Sequence, residues 1–572
     1  MYNLSSAKWS DLWSKLIIGL IWIGSFSVSP VKGQPESIKE GQFENGAVVC
    51  AQPLAAGVGA KILKEGGNAF DAAIATQFVL AVVYPQAGNI GGGGFMIARR
   101  ADGNLLALDF REKAPLAATS DMYLDKNGMA VMSKSQDGHL SVGVPGSIAG
   151  IFAMYSGAVL PFERLIDPAI KLAEKGFKVT ESEARLLNRF KADFQKYNTG
   201  KVAFVKASAW KAGDLLVQKD LAETLRRIKA KGQSGFYSGK TAALIQKEMN
   251  RGKGIITLAD LHQYKAVERK PVSFLYRGYQ IVSFPPPSSG GLLLAQMLGM
   301  ISPYNMKELG FLSAAAIHVM TEAERRAYAD RAAYMGDPDF WKVPDSALMD
   351  PGYLLKRMAD FNPEQATPSS AVASGQLYES KETTHLCVAD KSGNLVSITT
   401  TLNGNFGSRV VVAGAGFLLN DEMDDFSVKP GVPNMYGAVG GQANAIAPGK
   451  RMLSSMCPTL VLKGKQPFMV VGTPGGTTIP TSVFQSIVDV IDYGKSPVEA
   501  IKAPKFHHQW LPDVLMIESG FAPQVESALK KMNYTLKTVN GIGRTEIICF
   551  DSAGKFMNAA ADIRGDDSVA GF

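Results

Sequence analysis

The chain has 572 residues, 46% apolar and 20% charged, with 60 Lys and Arg against 52 Asp and Glu. That apolar share sustains a large core and excludes wholesale disorder, and a net charge of +8 without long basic runs argues against a nucleic-acid groove. Cys50, Cys387, Cys457 and Cys549 are too few and scattered for a disulfide framework and lack zinc-site spacing, so buried free thiols are expected.

Lys8 and Lys15 precede an apolar run from Leu16 to Val28, followed by small and polar residues up to Gly33. The run is about 13 residues, shorter than the roughly 20 that span a bilayer. Residues 1–33 therefore read as a secretory signal, with an uncleaved anchor as the competing reading. A periplasmic or secreted protein without a stable membrane anchor is expected. The remaining length allows two or three domains or one large α/β unit.

In chain order, Pro53–Gly66 reads as a helix, and Asn68 caps a strongly apolar second one ending before Pro85. Thr180 and Glu183 stand in capping-box spacing at the head of a predicted helix reaching Tyr197. Ser313–Met335 is a long helix whose Glu and Arg residues are most simply a solvated face. The first half reads mainly as helix. Pro363–Glu382 is a polar stretch expected to be a surface linker. Beyond it, Thr384–Asp390 and Leu395–Thr401 flank Lys391–Asn394 as a β-hairpin. Further strands are predicted at Thr459–Leu462, Phe468–Gly472 and Glu546–Phe550, with helices at Pro480–Tyr493 and Pro523–Met532. Sheet layers with helices packed outside follow from this order.

Several chemistries lack their motifs. There is no phosphate-binding G-x-x-x-x-G-K-[ST] loop, and Gly91–Gly94 fails as a dinucleotide loop because Met96 stands where the last glycine belongs. The six histidines form no H-E-x-x-H pair; His507 and His508 read as a packed or hydrogen-bonded pair rather than a metal site. No G-x-S-x-G elbow is present. Thr383 admits two readings. It is a good β-former at a strand start, or, if the chain is cut before it, a terminal residue holding a hydroxyl nucleophile and an α-amine base of pKa about 7.7–8.0.

Thr383–Asn403, Leu419–Asn434, Leu453–Thr459, Gly472–Gly476 and Phe506–Pro512 resemble, in order, motifs of the γ-glutamyltransferases. Glu65–Ala75, Gly88–Phe95 and Leu108–Lys113 match the same family in the first half. The resemblance implies an N-terminal-nucleophile hydrolase, an α/β protein with a four-layer αββα sandwich. It implies self-cleavage between Glu382 and Thr383, giving a large subunit 34–382 and a small subunit 383–572 in one interleaved heterodimer. By the same resemblance Thr383 is the nucleophile, Thr401 bonds its hydroxyl, and Gly475 and Gly476 present N–H groups to the oxyanion. Arg111, Ser454 and Ser455 would hold the donor carboxylate, and Asn403, Glu422 and Asp425 its ammonium. Pro430–Gly441 corresponds to a lid loop with Tyr436 as gate. Glu422 departs from the Gln of some bacterial members. The implied reaction needs no metal or organic cofactor. It takes γ-glutamyl donors such as glutathione and passes the acyl group to water, an amino acid or a peptide. The alternatives are an acylase acting on β-lactam side chains or γ-polyglutamate, and an uncleaved, inactive binding protein.

Overall fold

Runs rich in Val, Ile, Thr and Ala place side chains alternately on opposite faces of a strand. Here they build two seven-stranded antiparallel sheets. Of the 572 residues, the computed structural model describes 36–372, 382–429 and 441–572. The signal segment, part of the Pro363–Glu382 stretch and nearly all of the Pro430–Gly441 loop, Tyr436 included, lie outside the described residues. Among the described residues, no helix is long and apolar enough to cross a membrane.

The first sheet runs Ser568–Gly571, Gly46–Cys50, Glu382–Asp390, Leu395–Asn403, Gly93–Arg99, Leu105–Asp109, Val267–Arg269. The second runs Glu40–Phe43, Met557–Ala560, Glu546–Phe550, Gln466–Gly472, Thr459–Lys463, Tyr279–Ser283, Val272–Tyr276. Val48, Leu386, Val388 and Ile398 point to one core, shared with helices Pro53–Lys64 and Ala69–Val83. Ala47, Val49, Cys387 and Ala389 point to the other, shared with the second sheet and with helices Gly290–Ile301 and Thr478–Ile491. The layers are therefore helix, sheet, sheet, helix: the αββα sandwich. All four cysteines are buried and free.

The predicted hairpin sits at the centre of the first sheet. Its strands are flanked by Gly46–Cys50 on one side and Gly93–Arg99 on the other, so chain from before and after position 383 alternates within one sheet. At the hairpin turn, one Asp390 carboxylate oxygen accepts the N–H groups of Ser392 and Asn394. The other accepts Ala69 N–H at 2.9 Å, which ties the turn to the start of the Ala69–Val83 helix. That helix begins in a reciprocal capping box of Asn68 and Asp71.

Three expectations are corrected. The Thr180 capping box forms, but the helix breaks at Phe190 into Glu181–Arg189 and Lys191–Tyr197. The first half supplies seven strands to the two sheets as well as its helices. Gly93 and Gly94 lie in a strand packed so closely on the hairpin that a Cβ at Gly94 would stand 2.3 Å from the Thr399 carbonyl oxygen. The charges of helix Ala314–Tyr334 are not solvated. Glu322, Glu324, Arg325, Arg326, Asp330 and Arg331 are all buried, because each finds a partner inside: Glu322 pairs with both Arg325 and Arg326, and Glu324 accepts the N–H of His508. His507 and His508 are fully buried and hydrogen-bonded, to Thr481 and Asp513 among others, as expected of a packed pair.

Removing one member of such a buried network leaves uncompensated charge. Glu322→Ala is therefore expected to lower unfolding stability by about 3–5 kcal/mol, read from denaturant unfolding midpoints at constant slope.

Candidate active site

Thr383 lies directly opposite Thr401 in the hairpin, and the register shifts between Glu382 and Thr383. A bulge of this kind re-aims the side chains beside it. Thr401 Oγ accepts the N–H of Asn403 at 2.7 Å. Asn403 takes a left-handed backbone with φ of 76° and donates its side-chain amide to the Asp421 carbonyl at 3.0 Å. That turn ends the strand and brings the chain round to the acidic segment Glu422–Asp425, a single 3-10 turn.

One small cavity, of about 10 Å³, is lined by Arg111, Thr383, Thr401, Asn403, Glu422, Asp425, Ser454, Ser455, Met456, Gly476 and Ile479. Residues predicted from stretches more than 300 positions apart thus meet beside one hydroxyl. Arg111 follows strand Leu105–Asp109, and its carbonyl is held by the Tyr264 hydroxyl at 2.6 Å. Its guanidinium lies 2.7 Å from Glu422, donates to Asp425, and stands 3.6 Å from Glu112. One cation therefore faces three carboxylates, all at most 8% exposed. Burial pushes the Glu112 carboxyl up to about 8 despite the pull of Arg111. Burial likewise raises Glu422 well above, and Asp425 above, the usual carboxylate range. Such a site is short of positive charge and is chemically suited to an ammonium. Ser454 and Ser455 approach from the loop before strand Thr459–Lys463; Ser455 Oγ is 3.5 Å from Ser289 Oγ, which accepts a hydrogen bond from Arg331.

Gly475 and Gly476 occupy the turn between strand Gln466–Gly472 and helix Thr478–Ile491, with φ of 139° and 60°. Their carbonyls accept the N–H groups of Thr478 and Ile479, so the turn is continuous with the positive end of that helix. Gly476 lines the small cavity. Gly475 and Thr383 line a separate, larger cleft of about 430 Å³. N–H groups in such a turn can stabilise a developing oxyanion, at roughly 2.7–4 kcal/mol per donor.

Glu112 was missed by sequence reasoning. Its only signal is adjacency to Arg111, and neighbouring residues on extended chain ordinarily face apart. Behind Thr383 on the same strand face, His385, Cys387 and Glu546 bring candidate ligand atoms within 4.8 Å of one another. Burial lowers His385 to about 3 and raises Cys387 and Glu546 well above their usual ranges. All three favour uncharged forms there, and His385 bonds Thr399 at 2.9 Å. This is the chemistry of a buried, uncharged core group more than of a thiolate-carboxylate metal site.

The sequence profile of the gamma-glutamyltranspeptidase family matches residues 55–572. A glutathione hydrolase proenzyme of Pseudomonas sp. (strain A14) is 50% identical over 492 residues, 85% of this chain and 86% of that protein. A glutathione hydrolase proenzyme of Escherichia coli (strain K12) is 46% identical over 534 residues, 92% of each chain. Among solved structures, the cephalosporin acylase from Bacillus halodurans superposes with a TM-score of 0.83 at 28% identity, covering 94% of this chain and 98% of its own.

The φ of 139° at Gly475 is a glycine conformation, and a Cβ there would stand 2.5 Å from Thr478 Oγ. Gly475→Ala is expected to cost about 1–3 kcal/mol of stability through backbone strain, measured by denaturant unfolding of the purified variant.

Proposed function

Because the chain belongs to the γ-glutamyltranspeptidase family, we propose that it is a self-processing γ-glutamyltransferase and glutathione hydrolase acting through the hydroxyl of Thr383. The observation that carries this reading is the shared cavity: one threonine hydroxyl, one guanidinium, two buried carboxylates and two serines line it, with Glu112 3.6 Å from the guanidinium. Export past residues 1–33 places the enzyme in the periplasm or outside the cell.

Maturation begins with attack of Thr383 Oγ on the Glu382 carbonyl carbon. The Glu382–Thr383 C–N bond breaks as the ester forms, and the nitrogen leaves as the α-amine of Thr383. Water then cleaves the ester, freeing the Glu382 carboxylate and restoring the hydroxyl. The products are a large subunit 34–382 and a small subunit 383–572, held together by the sheet they share.

In turnover, the donor's ammonium takes Glu422 and Asp425, assisted by Asn403. Arg111, released from those carboxylates, turns its planar fork to the donor carboxylate beside the Ser454 and Ser455 hydroxyls. The α-amine of Thr383 takes the Oγ proton as Oγ attacks the γ-carbonyl carbon, with Thr401 orienting the hydroxyl. The N–H groups of Gly475 and Gly476 hold the oxyanion. The proton passes to the departing amine, leaving a γ-glutamyl ester on Thr383. Water or an amino-acid or peptide amine then accepts the acyl group. Tyr436 takes the gate role through family resemblance. The similarity to a cephalosporin acylase favours an acylase as the second reading, but an acyl donor without an ammonium leaves Glu422 and Asp425 unmatched.

The wild-type protein is expected to run as fragments of about 37 and about 20 kDa, scaled from 61.2 kDa for the whole chain. Thr383→Ala should give one band near the full mass and no hydrolysis of a γ-glutamyl anilide. Efficient cleavage of that variant would overturn the assignment, and N-terminal sequencing of the wild-type small fragment should begin at Thr383.

The donor's ammonium needs ionised partners, and Glu422 and Asp425 are shifted upward. Both lose their charge as pH falls, so donor KM should climb as pH falls and drop as pH rises. In Glu422→Gln this dependence should flatten, read from donor KM against pH. A profile that stays as steep as that of the wild type would refute a titrating role for Glu422.

A further inference from the structure

A further cavity shares no lining residue with either space at Thr383. Its volume of about 900 Å³ is roughly twice that of the cleft beside Thr383, and it falls within the range of roughly 300–1,000 Å³ typical of small-molecule sites. It is bounded by the chain between helices Lys191–Tyr197 and Lys219–Lys231 and by the turn at 411–416. Glu248 and Arg251, from helix Gly239–Gly252, complete it.

The walls are tied together. Asn198 donates to the carbonyls of Phe194 and Arg409, at 2.9 and 2.8 Å, and accepts the N–H of Val411 at 2.8 Å. Gly416, with φ of 78°, packs so closely that a Cβ there would stand 2.4 Å from the Leu221 nitrogen. A cavity held in this way needs little ordering when a ligand enters. Val202, Val205, Leu221, Val411 and Val412 give it an apolar lining.

Its charges do not balance. Lys206 is neutralised by Asp214, and Arg251 by Glu248. Among the described residues, Lys191, Lys201 and Lys219 form no ion pair, and only Asp220 stands against them on the lining. Lys191 donates to the Ala207 carbonyl at 3.1 Å, while Lys201 and Lys219 are exposed. Three cations against one anion leave two positive charges in surplus beside apolar surface. We propose that this cavity is a second ligand site, which takes a small organic anion with an apolar body and a carboxylate or phosphate head. The valines and Leu221 bury the body, and Lys201 and Lys219 take the head. A polyanion is a poor fit, because its repeating charges call for a long row of cations. The site does not depend on the reaction at Thr383.

The test titrates octanoate and octyl phosphate into the full chain by calorimetry, below their micelle concentrations, with 1-octanol and inorganic phosphate as controls. At least one of the two anions should saturate one site per chain, about tenfold tighter than either control. The tighter of the two identifies the head as carboxylate or phosphate. Replacing both exposed lysines, Lys201→Gln with Lys219→Gln, should weaken that binding about fivefold. Ala413→Trp, which fills the cavity from the turn at 411–416, should abolish it. Unfolding midpoints equal to that of the wild type show that both variants fold. Saturation by neither anion, octanol binding as tightly as the anions, or an affinity unchanged in the double lysine variant would each overturn the site.

Discussion

A single guanidinium surrounded by more negative charge than it can neutralise organises the catalytic side of this molecule. Arg111 meets Glu422, Asp425 and Glu112 with almost no exposure to water. Removing charges from water carries a large desolvation cost, and one cation cannot offset three anions at once. The upward shifts of Glu112, Glu422 and Asp425 express that imbalance. The proposed function uses this imbalance as an exchange: an incoming ammonium would relieve the carboxylates, and the freed guanidinium would become available to a carboxylate.

The proposed exchange matters only because the proposed nucleophile is fixed beside it. Thr383 lies in the middle of the first sheet, opposite Thr401, on a hairpin walled in by Gly46–Cys50 and Gly93–Arg99. Chain on both sides of the proposed cut is hydrogen-bonded into the same sheet, so cutting it separates neither part from the core. Thr383 borders both this charge-rich cavity and a larger cleft on its other side.

Local features read well from sequence because local physics decides them. The Asn68 and Thr180 caps, the hairpin about Lys391–Asn394, the strands at Thr459 and Glu546 and the buried His507–His508 pair all depend on neighbours a few residues away or on simple burial. The misreadings occur where distant chain overrides that preference. Helix Ala314–Tyr334 carries a surface-like composition, yet its charges are interior because Asp360, Asp513 and Ser289 arrive from elsewhere to partner them. The helix from Thr180 keeps its apolar rhythm through Phe190, whose ring packs edge-on against Phe406, yet the helix ends there.

The sequence by itself determined the family, through ordered motifs spread over nearly the whole chain, and with it the threonine and the ligand set proposed for the site. Those assignments are statements of residue type and order, which survive in one dimension. Only the tertiary structure decided that Arg111 is contested by three carboxylates, that Glu112 belongs among them, and that Thr383 borders a second, larger cleft on its other side. The physical reason is that burial, Coulomb interaction and cavity shape depend on distances between residues hundreds of positions apart, and spacing along the chain carries no record of those distances.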